Sequence, residues 1–399
     1  MKERVVVKAL LAVAAAVIRQ MMFRRISLLA LLLAMASIAF AGVLPDDRAD
    51  VLYHLYDGGG VEIDGPSILV RKKAGKSISF VGNYYVDMVS SASIDVITTA
   101  SPYTEERKQW SLGMDYLRGN TSMRINYVSS EESDYDAETI SFAVSQEMFG
   151  DMTTLTLGYT LGDDLVRRSD DPLFQRNLDK QSYSIGITQI LTKNLISTLN
   201  FETITDEGYL NNPYRSVRYF DAGSALGYSY EPELYPNTRT SNALAVRARY
   251  FLPYRAAIEG EYRFFTDTWD IEGHTVSLSY IHPWRDFTFT GKFRYHDQTG
   301  AHFYSDLFSG SEATNFRGRD KELSPLTSYT FGIKAAYEFF SDDGKDWGFL
   351  KKATVTASID MLQIDYDDFS DLTALASLGN EPLYKLDANI FQVFFSFWY

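Results

Sequence analysis

The sequence predicts an all-β chain: a transmembrane antiparallel up-and-down β-barrel of 16 strands, with short periplasmic turns and long extracellular loops. Three observations lead there. Apolar and polar residues alternate with a period of two through segment after segment, as they must when one face of a strand meets lipid and the other meets water. Short connections alternate with long polar ones. Finally, the chain ends on Phe391-Gln392-Val393-Phe394-Phe395-Ser396-Phe397-Trp398-Tyr399, an aromatic strand with no charged tail.

Composition supports this class against its competitors. The 399 residues include 27 Tyr, 26 Phe and 5 Trp, yet the mean hydropathy is −0.18, as expected when apolar residues alternate with polar ones instead of clustering. No 20-residue apolar run follows residue 41, which excludes a helical membrane protein. Cysteine is absent, so disulfides, thiolate metal sites, cysteine nucleophiles and a lipid-anchor cysteine are excluded with it. The length could hold two or three soluble domains, but no composition break or linker divides it.

The amino terminus reads as a secretory leader. Met21-Met22-Phe23-Arg24-Arg25 is a basic region, Leu28 to Met35 an apolar core, and Ala39-Phe40-Ala41 an A-x-A cleavage site. Residues 1–20 repeat the theme weakly, and the true start is read as Met21 or Met22. Residues 42–399 then form a single barrel domain in the bacterial outer membrane. The leader carries Lys2, Arg4, Lys8, Arg19, Arg24 and Arg25 against Glu3, so cleavage takes the net charge from −14 to about −19. So acidic a chain does not seek nucleic acid.

Along the mature chain, strand patterns cover 51–57, 61–73, 77–90, 106–117, 121–130, 139–145, 154–161, 178–190, 195–204, 240–252, 255–266, 269–281, 287–297, 326–340, 351–363 and 384–399. The first is short and holds His54, which leaves a count of 14 open. The pair around Gly150-Asp151 shows the grammar: Ile140, Phe142 and Val144 alternate with Thr139, Ser141 and Ser145, and Leu155, Leu157, Tyr159 and Leu161 alternate with Thr154, Thr156, Gly158 and Thr160. Short turns fall near 74–76, 118–120, 149–151, 192–194, 253–254 and 283–285, and long polar stretches at 91–105, 163–177, 205–239, 298–325 and 364–383. The short link at Asp267-Thr268 and the long one at Ser341 to Leu350 break the pattern. Trp110, Tyr116, Tyr127, Tyr159, Trp269, Trp284, Trp347 and Trp398 lie near strand ends, where interfacial girdles are expected.

Several words of the sequence also carry a resemblance: Asp47-Arg48-Ala49-Asp50-Val51-Leu52-Tyr53-His54-Leu55-Tyr56-Asp57-Gly58-Gly59-Gly60-Val61, Thr99-Ala100-Ser101-Pro102-Tyr103, Asn211-Asn212-Pro213-Tyr214-Arg215-Ser216-Val217-Arg218-Tyr219, Phe264-Phe265-Thr266-Asp267-Thr268-Trp269 and the closing Ser396-Phe397-Trp398-Tyr399. The chain resembles the bacterial family catalogued as domain of unknown function 3570, over nearly all its mature length. The resemblance implies a secreted outer-membrane barrel and no settled activity. It also implies periplasmic redox proteins, thioredoxin-like and flavin-transferring, as partners.

If the apolar positions face lipid, the alternate positions face a lumen. There the central strands place Arg247 and Arg249, then Glu259, Glu261 and Arg263, then Lys292 and Arg294, then Lys334 and Glu338. Such a set either pairs into a stiffening ion network or forms a charged constriction that selects solutes. The most elaborate loop carries Tyr214, Arg215 and Arg218, with Arg239 following; these are the candidates for ligand contact, the alternative being an ordered loop packed in the barrel mouth. Asp365, Asp367, Asp368 and Asp371, like Asp163, Asp164, Asp170 and Asp171, lack an EF-hand pattern and read as solvated acidic loops, so no metal and no cofactor is expected.

The five histidines contain no H-E-x-x-H pair, and neither a G-x-S-x-G elbow nor a phosphate-binding loop is present. No enzyme is expected, with a barrel-borne membrane hydrolase as the least favoured of three readings. The others are a channel or solute-binding barrel with a charged lumen, and a closed structural or assembly-partner barrel. Phe391, Val393, Phe395, Phe397 and Tyr399 are read as the signal for membrane assembly, which makes the barrel-assembly machinery a partner, alongside outer-membrane lipid and lipopolysaccharide.

Overall fold

The computed structural model describes residues 42–91, 103–339, 349–374 and 376–399, so the leader, Trp347 and most of the 341–350 connection lie outside the described residues. The described residues form 18 strands, of which 16 close into one antiparallel barrel while β10 and β11 pair by themselves. The barrel strands are β1 (Arg48–Gly58), β2 (Val61–Ala74), β3 (Ile78–Ser91), β4 (Tyr103–Arg118), β5 (Thr121–Glu131), β6 (Tyr135–Met148), β7 (Thr153–Arg167), β8 (Gln175–Thr192) and β9 (Leu195–Gly208). They continue as β12 (Thr238–Phe251), β13 (Ala257–Asp267), β14 (Glu272–Trp284), β15 (Phe287–Gln298), β16 (Leu326–Phe339), β17 (Lys352–Ser370) and β18 (Leu383–Trp398). The expected count of 16 is observed.

Closure depends on the first segment, one of the short expected strands. β1 pairs along its whole length with β2 and, on its other edge, with β18, from Arg48 opposite Trp398 to Gly58 opposite Ala388. No barrel strand is left with an open edge, which satisfies the backbone groups that lipid cannot. The β1–β2 link needs only two residues because Gly59 and Gly60 take φ values of +60° and +77°, the conformation of a type I′ hairpin turn, strained for any other residue.

Around the ring, β12 follows β9, and every other barrel strand pairs with its neighbours in sequence. All connections therefore sort to two ends. At the turn end lie the β2–β3, β4–β5, β6–β7, β8–β9, β12–β13 and β14–β15 links, together with the start of the described chain and Tyr399. At the loop end lie segments 209–237, 299–325 and 371–382. The strands run farther toward that end than alternation alone indicates: β7 reaches Arg167, β8 starts at Gln175 and β17 extends to Ser370. At 18 and 19 residues, β8 and β17 exceed the 9 to 11 or so that span a bilayer. Their polar ends thus belong to a rim standing clear of it, where lipid no longer enforces alternation.

The two faces of the sheet differ as lipid and water require. Phe80, Leu112, Ile140, Leu157, Ile185, Leu199, Val246, Leu278, Phe331, Ile333 and Met361 all point outward and are exposed, Ile333 by 64%. So continuous an apolar belt far exceeds the patches a soluble monomer leaves in water. On β14 the belt is bounded by His274 and His282, bonded to the hydroxyls of Tyr262 and Tyr280. Trp110 and Trp284 sit on this outer surface.

Trp269 does not. It is 3% exposed in a core beneath the loop-end cap, its indole N–H donating to the Thr238 carbonyl, because the short Asp267-Thr268 link folds inward. The Asp267 carboxylate ties that link by accepting from the Trp269 and Ile271 amides. Trp398 also departs from the girdle, facing inward between Arg48 and Lys352.

Candidate functional site

The lumen wall is charged, and most of its charges are matched across strands. Arg247 and Arg249 on β12 stand in register with Glu261 and Glu259 on β13, with Nε to carboxylate distances of 2.6 and 2.8 Å. Lys292 on β15 reaches over β16 to Asp360 on β17 at 2.7 Å. That span exists because Gly332 lies between them in register; a Cβ there would strike both the Asp360 carboxylate and the Lys292 side chain. Glu338 pairs with Lys352. Of the lumen residues expected from the sequence, Arg263, Arg294 and Lys334 have no carboxylate within ion-pair distance among the described residues. The other six are paired.

Elsewhere in the wall, Asp115 is 1% exposed between Arg71 and Arg124. His54 bonds Asp87 at 2.8 Å and stacks on Tyr85. The remaining histidines are dispersed: His296 faces Thr275 inside, His302 bonds the Trp269 carbonyl, and His274 and His282 lie on the outer face.

Despite these pairs the lower lumen is hollow. On β12, Leu244, Val246 and Tyr250 face outward and Arg247 and Arg249 inward, yet Arg247 and Arg249 are as exposed as Val246 and Tyr250. A packed interior would bury one of the two faces.

At the loop end the opposite holds. Segment 209–237 leaves the ring between β9 and β12, folds into the hairpin β10 (Ser216–Phe220) and β11 (Tyr228–Pro232), and crosses the mouth. Arg218 at its centre is 1% exposed and clamps Asp306 of segment 299–325 and, at 2.7 Å, Glu381 of segment 371–382. Arg319 also reaches Asp306, at 2.8 Å, and lies over the Phe369 ring; Ser370 donates to Asp306 as well. Backbone bridges Tyr219–Phe308 and Leu234–Arg317 knit the two longer segments together.

Beneath them pack Tyr235, Trp269, Ile271, Ala301, Phe303 and Leu323, and beside them Leu326, Tyr366, Phe369, Leu386 and Ala388. Burial alone would raise the Asp306 carboxyl, but Arg319 and Arg218 hold it below its usual value. At Glu233 burial outweighs the pull of Arg215. Burial pushes it up to about 7, although it accepts from the Tyr235 hydroxyl at 2.6 Å and the Arg319 amide at 2.7 Å.

The cap stops short of the β4–β8 wall. There a cavity of about 870 Å³ is lined by Glu105, Glu132, Asp134, Arg167, Tyr209, Tyr214 and Arg215, among others. Tyr214 accepts from the Ser169 amide at 2.8 Å, and Arg215 pairs with Asp320.

The four loop candidates therefore separate. Tyr214 and Arg215 line the cavity, Arg218 is interior to the cap, and Arg239 pairs with Asp267 at 2.6 Å and stacks on Trp269. Sequence reading missed the carboxylates of Glu105, Glu132 and Asp134, whose oxygens lie within 4.8 Å of one another. Its signal was the acidic run Glu131-Glu132-Ser133-Asp134 opposite Glu105. Burial raises both Glu132 and Asp134, and Ser133 supplies Glu105 with an amide donor at 2.9 Å. Of the acidic residues set aside as metal sites, Asp164 pairs with Lys180, Asp170 with Arg168 and Asp365 with Lys385.

The closed ring, its apolar outer belt and its wetted charged interior define the class: an antiparallel β-barrel of the outer-membrane kind. The model of the family described as "Protein of unknown function (DUF3570)" matches residues 92–182 and 167–367, and the chain belongs to that family. No curated protein matches the chain. Similar solved structures include a bacterial polysaccharide outer membrane secretin, 8% identical over 89% of this chain and 100% of that one, with a TM-score of 0.44. A FadL homologue of Pseudomonas aeruginosa is 8% identical over 89% and 90% of the two chains, with a TM-score of 0.43. OccK5 (OpdH) of the same organism is 10% identical over 90% and 99%, with a TM-score of 0.41.

Proposed function

We propose that the protein resides in the bacterial outer membrane and conducts or binds small polar solutes in its charged lumen. The supporting observation is the exposure of Arg247 and Arg249 beside Val246 and Tyr250 on one strand, which leaves room for water on the inner face behind the lipid-covered outer one. Barrels of 16 strands are wide enough to hold an aqueous path. Solutes enter past the cavity lined by Tyr214 and Arg215, the gap the cap leaves open. Assembly proceeds through the closing strand, whose Phe391, Val393, Phe395, Phe397 and Tyr399 share the outward parity, and lipid with lipopolysaccharide covers the belt. No catalytic step is assigned.

The test is liposome swelling with purified protein in small uncharged sugars. Swelling faster than protein-free liposomes supports conduction. No swelling by a correctly folded barrel supports the second reading, a closed structural barrel, which the burial of Arg218 under the mouth favours.

A further inference from the structure

On the inner face of β12–β17 the carboxylates are used up: Glu261 by Arg247, Glu259 by Arg249, Asp360 by Lys292 and Glu338 by Lys352. Arg263, Arg294 and Lys334 remain. Their heights follow from the register. Arg263 is level with Thr275 and, through it, with His296 of β15; Arg294 lies one inward position lower; Lys334 is level with Thr290.

Six residues of β15 separate the first level from the last, about 20 Å along the strand. Arg263 stands at the level of 296, Arg294 at its own and Lys334 at the level of 290, with Lys292, paired to Asp360, between the last two. Thr275, Ser277 and Ser279 on β14 and Thr330 and Gly332 on β16 carry no charge, and the nearest carboxylates, Glu261 one inward position below Arg263 and Asp360 beside Gly332, are already held by Arg247 and Lys292. Arg294 and Lys334 are exposed, and the Arg263 guanidinium sits 5.3 Å from the Phe265 ring centre. This unneutralised strip runs against a chain whose net charge is −14.

Resting on the conduit reading, we propose that Arg263, Arg294 and Lys334 form a cationic track down one wall of the lumen and make the pathway selective for small anions. None of the three has a carboxylate within ion-pair distance among the described residues, so each draws its counter-ion from solution. The three follow one another toward the turn end, so an anion leaving one meets the next. The low-dielectric wall behind them strengthens the attraction relative to bulk water. The paired cations Arg247 and Arg249 contribute little, because their fields are cancelled at close range.

The test is the reversal potential of the purified full barrel in planar bilayers under a KCl gradient, with chloride as the probe anion. The wild type is expected to favour chloride, and Arg263→Gln/Arg294→Gln/Lys334→Gln to lower the chloride-to-potassium permeability ratio by about threefold or more. Removing an intact pair, Arg247→Gln/Glu261→Gln, is expected to leave the ratio in place. None of the three glutamines strands a partner carboxylate, and each single substitution provides a milder version of the same measurement. A cation-selective wild type, or an unchanged ratio in a conducting triple variant, overturns the proposal. Absence of any current from a folded wild-type barrel overturns the conduit reading and the track with it.

Discussion

At the residue scale the cap depends on a few buried polar groups whose partners are far apart in the chain. Arg218 is the centre, and its replacement leaves Asp306 and Glu381 without their cation. For a pair so deeply buried the expected local loss is about 3–5 kcal/mol, enough to open the cap without opening the barrel. Arg218→Ala should therefore expose segments 209–237 and 299–325 to limited proteolysis while the barrel band keeps its heat-modifiable migration.

Glu233 makes the same cap sensitive to pH. Its folded value of about 7 lies above the ordinary 4.5, so its contribution is complete below the ordinary value and is lost as pH rises through the folded one. Asp306 and Glu381 are shifted down, through their contacts with arginine against the opposing effect of burial, and weaken the cap only in stronger acid. Protection factors in segment 209–237, corrected for intrinsic exchange, should accordingly be higher at pH 5.5 than at pH 8, with Glu233→Gln restoring protection at pH 8. Equal protection at both pH values in the wild type would refute this assignment.

At the scale of elements, alternation revealed all 16 barrel strands because lipid on one side and water on the other enforce a period of two. β12 and β13 illustrate how far this reached. The inward parity of Arg247 and Glu261 was readable, but their pairing needed the register that places them opposite. A loop packed in the mouth was readable as one of two options for the Asn211–Tyr219 stretch, but its partners were not, since the cap is built from long-range contacts such as Arg218 to Asp306, 88 positions apart. Trp269 misled for the same reason: its place at a strand end suits a girdle, and only the inward fold of the 268–271 link buries it.

β18 is the element with the most to lose. It completes the ring by pairing with β17 and β1, and Tyr399 donates its hydroxyl to the Arg71 carbonyl at 3.1 Å. Phe397→Asp/Tyr399→Asp, or deletion of Tyr399, should abolish membrane assembly, seen as loss of the heat-modifiable band from the outer-membrane fraction. Normal insertion of either variant would remove the role given to this strand.

For the whole molecule, three layers follow from one sheet: an apolar belt outside, a charged and wetted wall inside, and a folded cap across one end with a cavity along its β4–β8 edge. The central claim is that the wetted interior is continuous enough to carry solute. Single-channel recording of the purified wild-type protein in planar bilayers addresses it most directly. The expected result is discrete conductance steps from protein whose heat-modifiable migration shows an intact barrel, whereas intact barrels that insert and never conduct would contradict it.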